Sequence, residues 1–242
     1  IAARTILASP EILNDRSLIK VRTLKGEWRK ISECYLPGGI VSGTDPEDAH
    51  LVIDTRTASE ALLKGLGASQ YPIDGFDVKN EPWFQEYREE CIKNYLDGLP
   101  SGHSQPQQQY LTFFGRPMIG SIIPFFELSE EKKVRFCKYL LDKPEYFVTW
   151  EMAHRTQTDN YPMMQFPSPY HWLLLKHGRI PTSQGPRSIK DSVGPSLGFL
   201  GRVLPIAAID ELLATTFGLA QSFSELQSDH WSELLDGISK FS

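Results

Sequence analysis

The amino-acid sequence predicts an α+β fold: two related strand–turn–strand–helix units, joined by helices and holding small mixed sheets. Two observations predict it. The first is a duplication. VRTLKGEWRKISECYLPGG near the start is echoed by IPTSQGPRSIKDSVGPS near the end, and HLVIDTRTASEALLKGLG by GRVLPIAAIDELLATTFG. Val21, Thr23 and Gly26 pair with Ile180, Thr182 and Gly185. After a one-residue slip, Arg29, Ile31, Glu33 and Pro37 pair with Arg187, Ile189, Asp191 and Pro195. In the back halves Val52, Ile53, Glu60, Leu62, Leu66 and Gly67 pair with Val203, Leu204, Glu211, Leu213, Phe217 and Gly218, which gives the first copy the longer middle loop. An internal repeat of this length marks a modular array. The second observation is patterning: short apolar runs broken by Gly and Pro within the copies, and helical periodicity between them.

Taken in order, Ser17 to Thr23 alternates as a short strand, Lys25–Gly26–Glu27 turns, and Trp28 to Tyr35 reads as a second strand stopped by Pro37, Gly38 and Gly39. Leu51 to Asp54 is a short apolar strand. Ser59 then caps a helix through Ala61, Leu62, Leu63 and Leu66, with Gly67 at its C-terminal end. Over 81–97 the residues Phe84, Tyr87, Cys91 and Tyr95 form one aromatic helix face. The stretch 99–109 is polar and of low complexity. Strand and turn pieces follow over 110–127. Ser129 caps a helix to Leu141, and 146–153 favours strand by its β-branched and aromatic content. Ser168 and Pro169 open a helix that Gly178 ends. The second copy follows, with its helix over 208–217, and a last helix runs from Ser228 to Gly237. The expected domains are therefore 1–98, the first unit with its connecting helix; 99–109, a polar linker or exposed loop; and 110–242, which holds the second unit over 168–235.

At 242 residues, 40% hydrophobic and 23% charged, the chain can bury one large or two small cores. A net charge of −5 disfavours a general nucleic-acid binder. The local exception is Lys176, Arg179, Arg187, Lys190 and Arg202 set against Asp191 alone, a stretch that could contact nucleic acid with Trp172 and His177 nearby. Cys34, Cys91 and Cys137 are an odd number without metal spacing, so reduced thiols in a cytoplasmic protein are expected. No apolar run approaches the roughly 20 residues of a membrane span. Ile1 in place of a methionine reads as a piece cut from a longer chain.

A search for chemistry returns little. His154, His171, His177 and His230 are candidates for acid–base work, the first two as the centre of an uncharacterised hydrolase, but His171 and His177 are six apart and face opposite sides of a helix. Asp45, Glu47, Asp48 and His50 gather in one loop without the register of a calcium loop. Lys64 to Gly67 ends a helix, the wrong polarity for a phosphate site. Glu90 and Asn94 share one helix face, yet no glycine-rich lid motif exists in the chain. No cofactor, metal or catalytic residue is expected. Arg29 and Arg187 each carry an acid four residues on, Glu33 and Asp191, which either brace the turn or leave the arginines to a partner. The candidate interaction residues are Arg29, Glu33, Lys176, Arg179, Arg187, Lys190 and Arg202.

The string SPYHWLLLKHGRIPTSQGPR at 168–187 resembles the region downstream of the nucleotide domain in large sacsin-like proteins, as does ISECYLP at 31–37; IKDSVGP at 189–195 fits the same step less closely. The paired helices ending in Leu66–Gly67 and Phe217–Gly218 resemble that family too. The resemblance implies a GHKL-type ATPase domain elsewhere in a longer, chaperone-like protein. The ATPase motifs themselves, a Glu-x-x-x-Asn helix running into Ala-x-Asp-Ala and an Asp-x-Gly-x-Gly loop, are absent here. The resemblance thus implies a non-catalytic repeat that binds a protein partner, or other domains of its own chain, or relays conformational change.

Overall fold

The computed structural model describes residues 19–71, 73–74, 78, 81–101, 106–115, 119–120, 122–154 and 161–240. Its strands are Lys20–Arg22 (β1), Trp28–Lys30 (β2), Ile73–Asp74 (β3), Leu111–Phe114 (β4), Ile119–Gly120 (β5), Trp150–His154 (β6), Met164–Phe166 (β7), Arg179–Ile180 (β8) and Arg187–Ser188 (β9). Its α-helices are Glu60–Gly65 (α1), Pro82–Asp97 (α2), Glu130–Leu141 (α3), Pro169–His177 (α4), Glu211–Thr216 (α5) and Ser228–Ser239 (α6). The architecture is α+β with small separate sheets of two or three antiparallel strands. Among the described residues no helix is long and apolar enough to cross a membrane.

In the first copy β1 and β2 form a hairpin in the register Val21↔Arg29, with Val21 inward and Lys20 and Arg22 outward. Ser17 and Leu18 of the expected strand lie outside the described residues. Thr23 holds the turn: its hydroxyl accepts the Glu27 N–H at 3.2 Å and its carbonyl accepts the Gly26 N–H at 2.8 Å. Gly26 has φ +89°, where a Cβ would be strained. The second strand stops at Lys30, short of the expected Tyr35. The chain winds into a 3-10 turn over Ile31–Glu33 instead, which buries Ile31. Tyr35 then lies parallel to both Val52 and Ser69, so the expected strand at 51–54 is reduced to single bridges. Ser59 caps α1, accepting the Leu62 N–H at 3.3 Å. Ile19, Val21, Ile31, Cys34, Leu36, Ile53, Leu63, Leu66 and Ala68 close one core.

The second copy follows the same backbone plan. The bridges Thr23↔Ile53 and Tyr35↔Val52 are matched by Thr182↔Ala207 and Val193↔Ile206, each with the same sense. Tyr35 N–H bonds the Leu51 carbonyl at 2.7 Å, and Val193 N–H the Pro205 carbonyl at 3.0 Å. Leu36 N–H bonds Ser69 at 2.8 Å, and Gly194 N–H bonds Ala220 at 2.9 Å. The 3-10 turn recurs at Ile189–Asp191 over a buried Ile189, and Gly185 has φ +92°. Asp210 caps α5 as Ser59 caps α1, and Gly67 and Gly218 both follow their helices with positive φ. The one-residue slip sits in the hairpin turn, because Ile180 pairs with Arg187 where Val21 pairs with Arg29.

One part of the sequence pairing is corrected. Val52 and Ile53 match Ile206 and Ala207 rather than Val203 and Leu204, since only the former bridge Val193 and Thr182. Similar apolar letters three positions apart misled the pairing. Between this point and its helix the first copy holds three more residues than the second. They make room for an Asp54–Arg56 clasp: Arg56 donates to Asp54 through Nε at 2.8 Å and Nη2 at 2.9 Å, and the Thr57 hydroxyl bonds the Asp54 carbonyl at 2.7 Å.

Backbone contacts divide the chain into Ile1–Asp77 with Met118–Glu127, and Val78–Pro117 with Leu128–Ser242. This differs from the expected break at 99–109. Helix α2 groups with the later residues because its aromatic face has partners there. Trp83 meets Tyr170 at 5.9 Å, Tyr87 meets Phe113 at 5.7 Å and Trp172 at 5.9 Å, and the Tyr87 hydroxyl donates to the Pro167 carbonyl at 2.8 Å. Residues 102–105 of the polar stretch lie outside the described residues, and Gln108–Tyr110 forms a 3-10 turn. Strands β4, β6 and β7 form the three-stranded sheet of this second unit. Gly115 is required beside it, because a Cβ there would sit 2.2 Å from the Trp150 ring. Ser129 and Ser168 cap α3 and α4.

Two expectations follow. Gly26→Ala and Gly185→Ala each lose about 1–2 kcal/mol in denaturant titration, since both force a Cβ into the same left-handed turn. Asp54 is held below the ordinary carboxylate range first by the Arg56 hydrogen bond. A lowered folded-state pKa adds stability above the unfolded value, and that contribution disappears as the pH falls through the folded one. Asp54→Asn is therefore less stable at neutral pH than the parent chain, and its stability declines less steeply below about pH 4.

Candidate interaction site

The basic stretch predicted from sequence is split by its tertiary partners. Helix α4 ends in Lys176 and His177, and these meet the acids of α2. Lys176 Nζ lies 3.2 Å from Glu90 Oε2 and 5.8 Å over the Trp172 ring, and His177 Nε2 lies 3.2 Å from Glu86. The buried Trp172 donates its indole N–H to Glu90 at 3.0 Å. Burial alone would raise the Glu90 pKa; the bonds from Trp172 and Lys176 outweigh it and hold the carboxyl below its usual value. Glu90 thus serves packing between two helices, and Trp172 is not available to stack on a base. Arg179, at the start of β8, pairs with Glu130 of α3 at 3.2 Å, and its N–H reaches the Cys137 sulfur at 3.4 Å.

The remaining cations behave differently. Among the described residues Arg187, Lys190 and Arg202 form no ion pair. Arg187 and Lys190 line a depression of about 200 Å³ with Asp191, Asp229, His230 and Glu233. Arg202 lines a neighbouring one of about 330 Å³ with Gln184, Glu233, Asp236 and Lys240. Helix α6 supplies one wall of both.

Arg29 and Glu33 belong to the first unit and do not pair with each other. Arg29 lies 3.8 Å from Glu27, and Glu33 lies 3.8 Å from Lys30. Arg187 likewise does not pair with Asp191, whose carboxylate accepts the Ser188 hydroxyl. The four-residue spacing favours contact along a continuous helix. Here the chain passes from strand to 3-10 turn between the two positions, and neither pair comes within ion-pair distance.

The His171 ring packs 4.9 Å from Phe217, and burial pushes its pKa down; the His154 ring packs 4.8 Å from Tyr161. His50 Nδ1 bonds the Glu47 carbonyl at 2.7 Å, and Asp45 accepts the Glu47 N–H, so the acidic loop is occupied with its own backbone. Among the described residues no group of three or more His, Cys, Asp or Glu is placed to hold a metal ion. Cys34, Cys91 and Cys137 are free and buried, and burial pushes their thiols up to about 11, about 11 and about 12, far from the thiolate that reacts.

One equivalent pair escaped sequence reasoning. Gln70 donates its side-chain amide to the Pro37 carbonyl at 2.8 Å, and Gln221 accepts the Ser196 N–H at 3.4 Å. Both latch the proline loop of their copy. The available signal was position: each stands three residues after the glycine that ends its helix.

No protein-family model, curated protein or solved structure matches the chain.

Glu90→Ala leaves the buried indole N–H of Trp172 without an acceptor and is expected to lose about 1–3 kcal/mol. Arg187→Ala, Lys190→Ala and Arg202→Ala are expected to stay within about 0.5 kcal/mol of the parent. Denaturant titration of the four variants separates the packing residue from the surface cations.

Proposed function

We propose that this chain is a non-catalytic repeat module of a larger sacsin-like protein whose GHKL-type ATPase domain lies elsewhere. It binds a protein partner, or other domains of its own chain, and relays conformational change between them. One observation carries the reading: the two copies share backbone bridges, turn glycines, helix caps and a glutamine latch, while their exposed polar groups differ. What is duplicated is a shape. Arg29 and Arg187 occupy equivalent places yet meet different neighbours, the opposite of a duplicated reactive centre. The motifs at 31–37 and 168–187 support the family reading. Three buried free thiols agree with a cytoplasmic setting.

Contact with nucleic acid is the second reading, favoured by Arg187, Lys190 and Arg202, which form no ion pair among the described residues. It ranks lower because Lys176 and Arg179 are engaged by Glu90 and Glu130, and acids share both depressions with the other three. The hydrolase reading ranks below both: the His171 ring packs on Phe217 and the His154 ring on Tyr161.

The chain is expected neither to bind nor to hydrolyse ATP. Equilibrium binding of a fluorescent ATP analogue and phosphate release measured with magnesium check this; turnover by the chain alone overturns the proposal.

A further inference from the structure

The hairpin that opens the first copy carries its own charge pattern. In the register of β1 with β2, Val21 stands across from Arg29, and Val21 is buried. Alternation along the strands sends Lys20, Arg22, Trp28 and Lys30 to the other face, and all four are exposed. On that face Lys20 lies directly across from Lys30, and Arg22 across from Trp28. Side chains placed in this way start about 5 Å apart, a separation at which like charges repel. Little in the chain offsets the repulsion. Lys20 and Arg22 form no ion pair among the described residues, and Lys30 lies 3.8 Å from Glu33. Arg22 has the Asp54 carboxylate at longer range, and Arg56 already clasps that group. Trp28 is 68% exposed.

The second copy shows what settles the same place there. Lys20 corresponds to Arg179, Arg22 to Pro181, Trp28 to Pro186 and Lys30 to Ser188. One cation remains on that hairpin face, and a helix takes it. Helix α3 packs against β8; Glu130 in its first turn lies 3.2 Å from Arg179, and its Cys137 sulfur accepts the Arg179 N–H at 3.4 Å. In the first copy the face holds three cations and an indole. Among the described residues no acid does for Lys20 what Glu130 does for Arg179.

Charge and size together choose the occupant. The positive face is short: Glu27 closes it at the turn, where it pairs with Lys25 at 3.3 Å, and Glu33 closes it beyond β2. Two residue pairs remain between them. An anionic membrane recognises clusters of about 4–8 Lys and Arg. A single-stranded nucleic acid follows a basic groove over about 4–16 nucleotides. The hairpin face is too small for either. An exposed tryptophan with an arginine directly across from it is the pairing of residue types that anchors protein interfaces. A helix that presents carboxylates beside an apolar side chain satisfies the cations and covers the indole.

We propose that the hairpin face formed by Lys20, Arg22, Trp28 and Lys30 is the docking surface for an acidic helix of a protein partner, which brings to the first copy the carboxylate that Glu130 brings to the second. The proposal rests on the interaction-module reading above and names its surface and the partner's chemistry.

The test titrates the whole chain, by calorimetry, with three synthetic helices. They share a leucine stripe and carry glutamate, glutamine or lysine beside it. The glutamate helix binds tightest, the lysine helix weakest, and the difference shrinks as salt rises. Lys20→Glu and Trp28→Ser each weaken the glutamate helix by about tenfold or more. Neither lowers Tm, since both positions are exposed and Lys20→Glu also removes the repulsion across from Lys30. Equal affinity for parent and variants overturns this surface while leaving the module reading intact. So does the absence of binding by all three helices up to about 1 mM. A single-stranded oligonucleotide, or vesicles containing phosphatidylserine, bound more tightly than the glutamate helix and lost in Trp28→Ser, overturns the protein partner. A dimer seen by sedimentation and dissolved by Trp28→Ser assigns the face to self-association and overturns it too. ATP turnover by the chain would fail the module reading instead, through a different measurement.

Discussion

A backbone segment without solvent must find partners for its N–H and C=O groups, and in each copy one short extended stretch does so in two directions. In the first copy Tyr35 receives the Ile53 N–H and gives its own to Leu51, while Leu36 reaches Ser69. In the second, Val193 and Gly194 do the same with Ala207, Pro205 and Ala220. Each such bond contributes only about 0.5–1.5 kcal/mol net, but leaving one unmade underground costs more. This seam ties the hairpin, the middle loop and the segment after the helix into one unit. The 3-10 turn before it and the glutamine latch beside it both serve to aim the chain into that seam.

Once the seam is set, the side chains around it are free to vary in kind. Cys34 and Ser192 occupy equivalent buried places; one is a small apolar thiol, the other bonds the Ser188 carbonyl at 2.7 Å. Tyr35 extends its hydroxyl to accept the Ile122 N–H at 2.7 Å, a bond that Val193 cannot make. The first copy spends its extra residues on the Asp54–Arg56 clasp, and the second has none. The two copies thus share one backbone plan and differ in their side chains, which supports the proposed reading of the chain as an interaction module.

The individual helices were largely legible because their signals are local. Ser59, Ser129 and Ser168 each accept the N–H three residues on, as their positions before a periodic run suggested. The aromatic face of Phe84, Tyr87, Cys91 and Tyr95 is buried as its spacing required. The strands were over-read. Trp28 to Tyr35 and Leu51 to Asp54 have strand-like composition, but a strand exists only where a neighbour pairs with it; Trp28–Lys30 pairs with β1, while Tyr35 and Val52–Ile53 find single bridges. The bracing of the turn by Arg29 with Glu33 and by Arg187 with Asp191 does not form, because the chain passes from strand to 3-10 turn between the two positions and Glu33 and Asp191 meet Lys30 and Ser188 instead.

By itself the sequence determined the duplication, the turn glycines and threonines, the helix caps and the α+β class, because each depends on a few neighbouring residues and the backbone angles they allow. Tertiary structure alone decided the rest. It set which cations are neutralised, since Lys176 and Arg179 find Glu90 and Glu130 across distant segments. It moved α2 into the later unit through its ring contacts with Tyr170 and Trp172. It left Phe199, Phe223, Trp231 and Leu235 exposed at the surface. Burial is a property of what covers a side chain, and only packing in three dimensions supplies or withholds that cover.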